Sequence, residues 1–393
     1  MNPLSALLAL PQDQKQARGF EHTPSEIAHQ PQSWLATYEV FRQKRAVIQG
    51  FLGKAGTGGK NAERPTVFLI GAGTSDYIGR ALAPLLRHCW QCEVIAVPST
   101  DLLTGADEWI VPGHRYLWIS FSRSGESPEG VAVIAQALKS HPCIHHLIVT
   151  CNAQAKMLRM AAGHEQMLGV ALPDAVHDRG LAMTSSFSNM LVFGQCLANV
   201  EDNESYRNVL SQLSEAGPRF VEAAAELASQ LARQEFGSVC FVGSGALKAV
   251  ATESALKVLE LTAGKVRTMS ESALGLRHGP MAALDQTTLF VAYLSGDEKV
   301  RQYELDLLEE IGKKRLVKAR VAVTTSSQSV ADRLAERVLS SGAGVADDYR
   351  PPLDVIFGQL LGLFFSLRHG LKPDCPSPSG AISRVVQNVK IHA

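Results

Sequence analysis

The chain has 393 residues, of which 46% are hydrophobic and 19% charged, and its formal net charge is zero. This length allows two ordinary domains with sizeable cores, and the balanced charge argues against nucleic acid or a membrane surface as a partner. Seven cysteines at irregular spacing indicate reduced thiols and a cytoplasmic protein.

The N-terminal stretch 1–45 predicts a helical segment ahead of the main domains. Residues 1–10 are apolar, but they lack a basic start and lead into polar sequence, so a signal peptide is not expected. Residues 23–26 have the pattern of a helix start and 30–31 that of a stop, and 34–52 shows helical periodicity. No segment reaches the length of a membrane span.

Two groups of possible metal ligands occur in the first half, and neither has the spacing of a metal site. Cys89 and Cys92 form one C-x-x-C without a second pair, which favours incidental cysteines. Three histidines around Cys143 lie on a polar connection before a predicted strand, so we expect them to be solvated. They are His141, His145 and His146.

Short apolar runs alternate with helical stretches, which is typical of a parallel sheet with helices on both faces. Strands are predicted at 67–70, 94–97, 117–121 and 147–150, and a long helix is predicted over 205–234.

The second half of the chain repeats the first. Gly71 falls on Gly243, and the same offset places the predicted strand 117–121 on the apolar run 289–293. Two strands that agree on one offset predict two similar α/β domains. We place an N-terminal helical segment at 1–45, the first domain at 46–215, the second at 216–375 and a tail at 376–393.

The stretch 122–127, called the hydroxyl turn here, joins a predicted strand to a helix that begins near Pro128. Its hydroxyls and the free N–H groups of the helix N-terminus suit a phosphate, although a serine-rich turn that only caps a helix is the alternative. The corresponding stretch 294–299 loses the hydroxyl cluster and gains acids, so only the first domain is expected to hold the phosphate.

A second turn, residues 71–75, follows the first predicted strand and is called the glycine turn here. Ligands of open parallel sheets lie outside the carboxyl ends of strands, so both turns can face one ligand. Asp76 occupies the sixth position of G-x-G-x-x-G, so an NAD site is not indicated.

Candidate catalytic groups lie in the second half. Residues 251–262 predict a helix with Lys257 and Glu260 on one face, beside apolar residues. Partial burial would raise the pKa of Glu260 toward that of a general base and Lys257 would lower it, whereas an exposed ion pair of little consequence is the alternative. His278 precedes Gly-Pro in a turn, where a histidine is either an acid/base group or simply exposed.

Together these motifs resemble the sugar isomerase (SIS) domain family, and most closely the isomerase half of glutamine–fructose-6-phosphate aminotransferase. The resemblance implies two tandem SIS domains, each a parallel sheet flanked by helices in a flavodoxin- or Rossmann-like three-layer sandwich. The motifs that carry it are the two turns, the duplication, Lys257, Glu260, residues 277–280 and the opening stretch 26–31.

Departures from the aminotransferase place the chain elsewhere in the family. Position 2 is Asn2 rather than a nucleophilic cysteine, and Gln387 stands where the aminotransferase has its Schiff-base lysine, with Lys390 out of register. The stretches 373–380 and 384–386 are most similar to the galactosamine-6-phosphate deaminase group, often labelled tagatose-6-phosphate ketose/aldose isomerase.

The resemblance implies that galactosamine 6-phosphate is converted to tagatose 6-phosphate and ammonia, in the amino-sugar catabolism of bacteria and without a metal or cofactor. It gives Glu260 the proton transfer between C2 and C1, His278 the ring opening, and Lys257 the tuning of Glu260. It also implies a homodimer, or a dimer of dimers, with shared active sites. The implied substrate-binding residues are Gly73, Thr74, Ser75, Ser122, Arg123, Ser124, Ser127, Thr184 and Gln387.

Three alternatives stay open at this point: a phosphosugar aldose–ketose isomerase without deamination, a glucosamine-6-phosphate deaminase, and a non-enzymatic sugar-phosphate sensor. The presence of both Glu260 and His278 argues against the sensor, as does the lack of a basic DNA-binding segment.

Overall fold

A computed structural model describes residues 1–57, 64–326, 330–331, 333–386 and 389–392. The chain forms two compact units, which we call unit I and unit II. Unit I consists of Ser33–His177, Ser185–Arg207 and Ile382–Ala393, and unit II of Met1–Gln32, Asp178–Thr184 and Asn208–Ala381. The domain limits drawn from the sequence follow chain order and stay a prediction.

The N-terminal region is helical, as the sequence predicts. Its helices are α1 (Pro3–Leu8), α2 (Gln12–Arg18), α3 (Thr23–Ala28) and α4 (Gln30–Ala55). The helix end predicted at 30–31 coincides with the break between α3 and α4, and Pro31 lies in the first turn of α4. Proline is tolerated there because the first N–H groups of a helix have no partner within the helix.

Unit I contains a sheet of five parallel strands in the order β2-β1-β3-β4-β5. The strands are β1 (Thr66–Gly71), β2 (Val94–Pro98), β3 (Tyr116–Ser122), β4 (His145–Thr150) and β5 (Met167–Ala171). The helices that follow are α5 (Thr74–Trp90), α6 (Ser99–Gly105), α7 (Pro128–Ser140), α8 (Lys156–Ala161) and α9 (Ser185–Ala198). Every residue of β3 is buried, as expected for a central strand covered on both faces.

Unit II repeats this architecture with five parallel strands in the order β10-β9-β8-β6-β7. The long helix α10 (Asn203–Ala232) leads into it. The strands are β6 (Ser238–Gly243), β7 (Arg267–Ser272), β8 (Thr288–Tyr293), β9 (Ala319–Thr324) and β10 (Arg337–Ser340). The remaining helices are α11 (Ala246–Leu261), α12 (Glu298–Lys314) and α13 (Pro351–Arg368).

The duplication predicted from the sequence is confirmed, because both sheets have the same strand order when their strands are numbered from the first of each. The offset that relates Gly71 to Gly243 also relates the first residues of β1 and β6. Gly73 and Gly245, just before α5 and α11, share a positive φ of 55°. The predicted α/β fold class is therefore correct.

One expectation about side chains in unit I is wrong. The three histidines around Cys143 were expected to be solvated, but β4 begins at His145 and the side chain of His146 is fully buried. The imidazole of His146 packs edge-on against Trp118, with ring centroids 5.3 Å apart. The register of β3 and β4 places these two residues opposite each other, so the histidine belongs to the core.

None of the helices in the described part of the chain has the length and apolar character needed to cross a lipid bilayer.

Candidate active site

The hydroxyl turn of unit I joins the end of β3, at Ser122, to α7, whose N-cap is Ser127. Gly125 has a φ of +60°, and a Cβ there would lie 2.4 Å from Cβ of Ala155, so only glycine fits. The amide of Gly125 donates to Oγ of Ser122 at 3.0 Å. The turn is therefore a tight loop that curls back on the end of its own strand.

Groups at the end of β4 and the start of α8 hold this turn in place. Nδ2 of Asn152 donates to the carbonyl of Ser124 at 3.0 Å. Oγ1 of Thr150 donates to the carbonyl of Arg123 at 3.2 Å, and the amide of Lys156 donates to the carboxylate of Glu126 at 2.7 Å. Since these bonds use carbonyls and an acid of the turn, they leave its hydroxyl donors for a ligand.

The glycine turn follows β1, which pairs directly with β3, so the two turns leave neighbouring strands at the same edge of the sheet. A Cβ on Gly71 would lie 2.3 Å from the backbone of Ser75, which explains the glycine there. Thr74 and Ser75 form the first turn of α5, with side chains 5% and 6% exposed. Unit I thus brings together the hydroxyl-bearing residues that the sequence proposed for a phosphate.

Arg123 is almost fully buried, and its guanidinium donates to the carbonyl of Arg384 in the C-terminal segment. The structure therefore uses this arginine to fasten the tail to the hydroxyl turn. Gln387, the other proposed binding residue of the tail, lies outside the described residues.

The catalytic pair predicted in unit II lies near the end of α11. Nζ of Lys257 is 2.6 Å from Oε2 of Glu260, and the side chains are 1% and 25% exposed. The exposure that the alternative assumed is wrong for the lysine, because its side chain is buried. Burial alone would lower the pKa of Lys257, but the charges of Glu253 and Glu260 outweigh it and raise this pKa above its ordinary value.

Glu253 is a member of this cluster that the sequence analysis missed. Its side chain is fully buried, and Oε1 lies 3.3 Å from Nζ of Lys257. The available signal was the i,i+4 spacing of Glu253 and Lys257, but the same spacing on a surface helix has no consequence. The lysine thus lies between two carboxylates, of which only that of Glu260 reaches solvent.

His278 lies in an exposed turn between two short 3-10 helices of unit II, at 275–277 and 280–283. Gly279, which follows it, has a φ of +123°, a conformation that requires glycine. Among the described residues, the imidazole of His278 makes no hydrogen bond or ion pair. The structure therefore places this histidine on the surface of unit II.

Thr184 is fully buried in unit II, and its polar groups have partners there. Its amide and hydroxyl donate to the carboxylate of Asp178 at 2.9 and 3.1 Å. Its carbonyl accepts from Nε2 of Gln359 at 3.3 Å. These hydrogen bonds hold Thr184 in place within unit II.

The described residues contain no group of three or more His, Cys, Asp or Glu side chains arranged for a metal ion. Cys89 is exposed and Cys92 half-buried.

Comparisons with known proteins agree with this arrangement. The chain is 34% identical over 379 residues to the D-galactosamine-6-phosphate deaminase AgaS of Escherichia coli, covering 94% of this chain and 95% of that protein. The tagatose-6-phosphate ketose/aldose isomerase structure from Escherichia coli matches with a TM-score of 0.84 and 31% identity, over 94% of this chain and 96% of that one.

A more distant match concerns the fold alone. The C-terminal domain of glucosamine-fructose-6-phosphate aminotransferase from Francisella tularensis has a TM-score of 0.71 at 17% identity, over 88% of this chain and 96% of that one. No protein-family model matches the chain. The resemblance inferred from the motifs is nevertheless confirmed by the first two comparisons: this chain belongs to the AgaS family of D-galactosamine-6-phosphate deaminases.

Proposed function

We propose that the protein converts D-galactosamine 6-phosphate and water to tagatose 6-phosphate and ammonia. The observation that carries the proposal is the Glu260 carboxylate held 2.6 Å from a buried lysine, in a chain 34% identical to a protein named for this substrate. A carboxylate that is held in place beside a lysine and open to solvent is suited to take a proton from carbon.

The phosphate is bound by hydroxyls and backbone amides of unit I rather than by a fixed countercharge. Two helix N-termini, those of α5 and α7, begin beside the proposed ligand position, and their free N–H groups favour an anion. Gly73 lets the backbone approach, and Arg123 holds the described part of the tail near the ligand. Gln387 stays a proposed substrate-binding residue. The proposed donors are the hydroxyls of Thr74, Ser75, Ser122, Ser124 and Ser127.

The chemistry begins with ring opening and ends with hydrolysis. His278 takes the proton from the C1 hydroxyl and returns one to the ring oxygen, which gives the open-chain aldehyde. Glu260 then removes the proton from C2 and delivers it to C1, while the nitrogen loses one proton and the C1 oxygen gains one. The aldehyde becomes a hydroxyl group and C2 becomes the imine carbon. Water adds to this C=N bond and ammonia leaves, giving the ketose. Lys257 holds Glu260, and the backbone of residues 184–186 contacts the sugar hydroxyls.

The assembly and setting are part of the same proposal. A homodimer or a dimer of dimers would let the exposed His278 reach the site of a neighbouring subunit. The enzyme would act in the cytoplasm, as a hydrolase of a C–N bond, in the catabolism of N-acetylgalactosamine after the acetyl group has been removed.

The test is an assay of ammonia release with galactosamine 6-phosphate, glucosamine 6-phosphate and their N-acetyl forms. We expect ammonia and tagatose 6-phosphate in equal amounts from galactosamine 6-phosphate, and no ammonia from the N-acetyl forms. Faster ammonia release from glucosamine 6-phosphate would show that this sugar, not galactosamine 6-phosphate, is the preferred substrate. No ammonia from any of them would refute the deaminase.

A second candidate is a plain aldose–ketose isomerase, because the Escherichia coli structure that this chain matches is named for that activity. It would use the same first proton transfers on a phosphosugar without an amine. Interconversion of tagatose 6-phosphate with its aldose, in the absence of any deamination, would favour it.

A further inference from the structure

The duplicated sheets differ in what lies at their second turn, which follows β3 in unit I and β8 in unit II. Each turn contains a serine whose hydroxyl oxygen accepts the amide of the residue two positions on. Ser124 accepts from Glu126 at 3.2 Å and Ser295 from Asp297 at 3.0 Å. The turn after β8 therefore keeps this hydrogen bond of the hydroxyl turn.

In unit II this turn already binds an anion, and the anion is a carboxylate of the same chain. The amide of Gly296 donates to Oδ1 of Asp347 at 2.8 Å, and the hydroxyl of Ser295 donates to Oδ2. Nη1 of the fully buried Arg350 donates to Oδ1 of Asp347 at 2.8 Å. An amide, a hydroxyl and a guanidinium around two oxygens form an oxyanion site.

A second internal carboxylate joins the two turns of this sheet. Oε2 of Glu304, on α12, accepts the amide of Ser295 at 2.7 Å. Burial raises the pKa of this carboxyl group, and the side chain of Ser244, in the turn that follows β6, lies near enough to oppose the shift. The glycine turn and the hydroxyl turn of unit I are the counterparts of these two turns, so Glu304 spans the place that corresponds to the proposed phosphate.

The corresponding positions in unit I carry no such acid. Counted from the helix N-caps Ser127 and Asp297, the counterpart of Glu304 is Ile134, a buried core residue of α7. Asp347 begins the 3-10 helix that follows the fifth strand of its sheet, and Asp174 begins the equivalent helix in unit I. Asp174 is exposed, whereas Asp347 is half-buried and its carboxylate contacts the turn after β8.

We propose that the turn after β8 is a second phosphate site closed by the chain's own Asp347, so that each chain binds one phosphate, at the hydroxyl turn. This inference rests on the proposed function only in taking the hydroxyl turn as the phosphate site. Removing the Asp347 carboxylate should therefore open a site for inorganic phosphate or a phosphate monoester.

The experiment measures the midpoint temperature of thermal unfolding of the full chain with and without saturating inorganic phosphate. A ligand that binds the folded protein raises this midpoint, and the rise is larger when binding is tighter. Four proteins are compared: wild type, S124A, D347A and S124A/D347A. We expect phosphate to raise the midpoint of wild type, to have little effect on S124A, and to raise that of D347A most. The double variant should regain a phosphate-dependent rise.

D174A removes the equivalent acid of unit I and should respond to phosphate as wild type does. A folded S124A/D347A that gains nothing from phosphate would overturn the proposal. If D347A does not fold, S124A alone decides: an undiminished phosphate response there would place wild-type binding elsewhere and overturn it too. Phosphate binding needs no turnover, so these outcomes are independent of the ammonia assay.

Discussion

Nζ of Lys257 lies 2.6 Å from the carboxylate of Glu260, although the lysine is buried and the glutamate reaches solvent. A buried charge must be paired, and here the pairing also fixes the direction of the partner. The second carboxylate, of Glu253, is 3.3 Å from the same nitrogen and fully buried. The buried carboxylate of Glu253 thus balances the charge of the lysine. The carboxylate of Glu260, which reaches solvent, is left available for chemistry.

Replacing Glu260 by glutamine should lower kcat by about 100-fold or more, because the amide keeps the shape but cannot accept a proton. Binding of the phosphosugar should survive, since the proposed phosphate donors are all in unit I. Steady-state kinetics of ammonia release measure both. E309Q is the control, because Glu309 also lies beside a lysine, at 3.2 Å from Lys313, but on the surface of α12. Near-normal turnover of E260Q would remove Glu260 from the mechanism.

Replacing Glu253 by glutamine should destabilise the protein by about 3–5 kcal/mol, the usual effect of removing one partner of a buried ion pair. Urea unfolding measures this loss. Because Lys257 would then depend on Glu260 alone, kcat should fall as well, by less than in E260Q. A variant of unchanged stability would show that the buried carboxylate contributes no net free energy to folding.

Replacing Ser124 by alanine should raise KM for the phosphosugar and change kcat little, since the hydroxyl contacts a part of the substrate that does not react. S140A, at the exposed end of the helix that follows the turn, should leave both constants unaltered. An unchanged KM in S124A would show that the phosphate of the substrate binds at another place.

The sequence was informative where hydrophobic patterning decides the structure. The predicted strand 67–70 lies inside β1, and the constant offset between the two halves led directly to two sheets of one topology. Hydrophobic patterning did not predict β7, because this edge strand consists largely of polar, half-buried residues. Burial of Glu253 and His146 also escaped it, because a charged or polar residue enters a core only when its particular neighbours allow it.

Mixing two inactive variants tests whether active sites are shared between subunits. E260Q and H278N should each be inactive alone, and their mixture should recover part of the activity if one subunit supplies Glu260 and its neighbour supplies His278. The exposed position of His278 motivates this expectation. Mixed dimers must first be demonstrated, for example by tagged co-purification. Mixed dimers without any recovery would place both residues in the site of a single chain.

His146 should make the stability of the protein fall in mild acid. Burial first, and then the charge of His145, lowers the pKa of His146 from 6.5 to about 4. Between these values the unfolded chain binds a proton that the folded chain does not, so stability decreases as pH falls from 6.5 toward 4.

The full shift in the pKa of His146 corresponds to about 3 kcal/mol of unfolding free energy. Urea unfolding at pH 7 and pH 4.5 should show most of this difference in wild type and less of it in H146L, which cannot bind the proton. H141L is the matched control, because His141 is only half-buried and lies before β4 rather than within it. An equal loss of stability in wild type and H146L would mean that carboxylates, not this imidazole, govern the acid response.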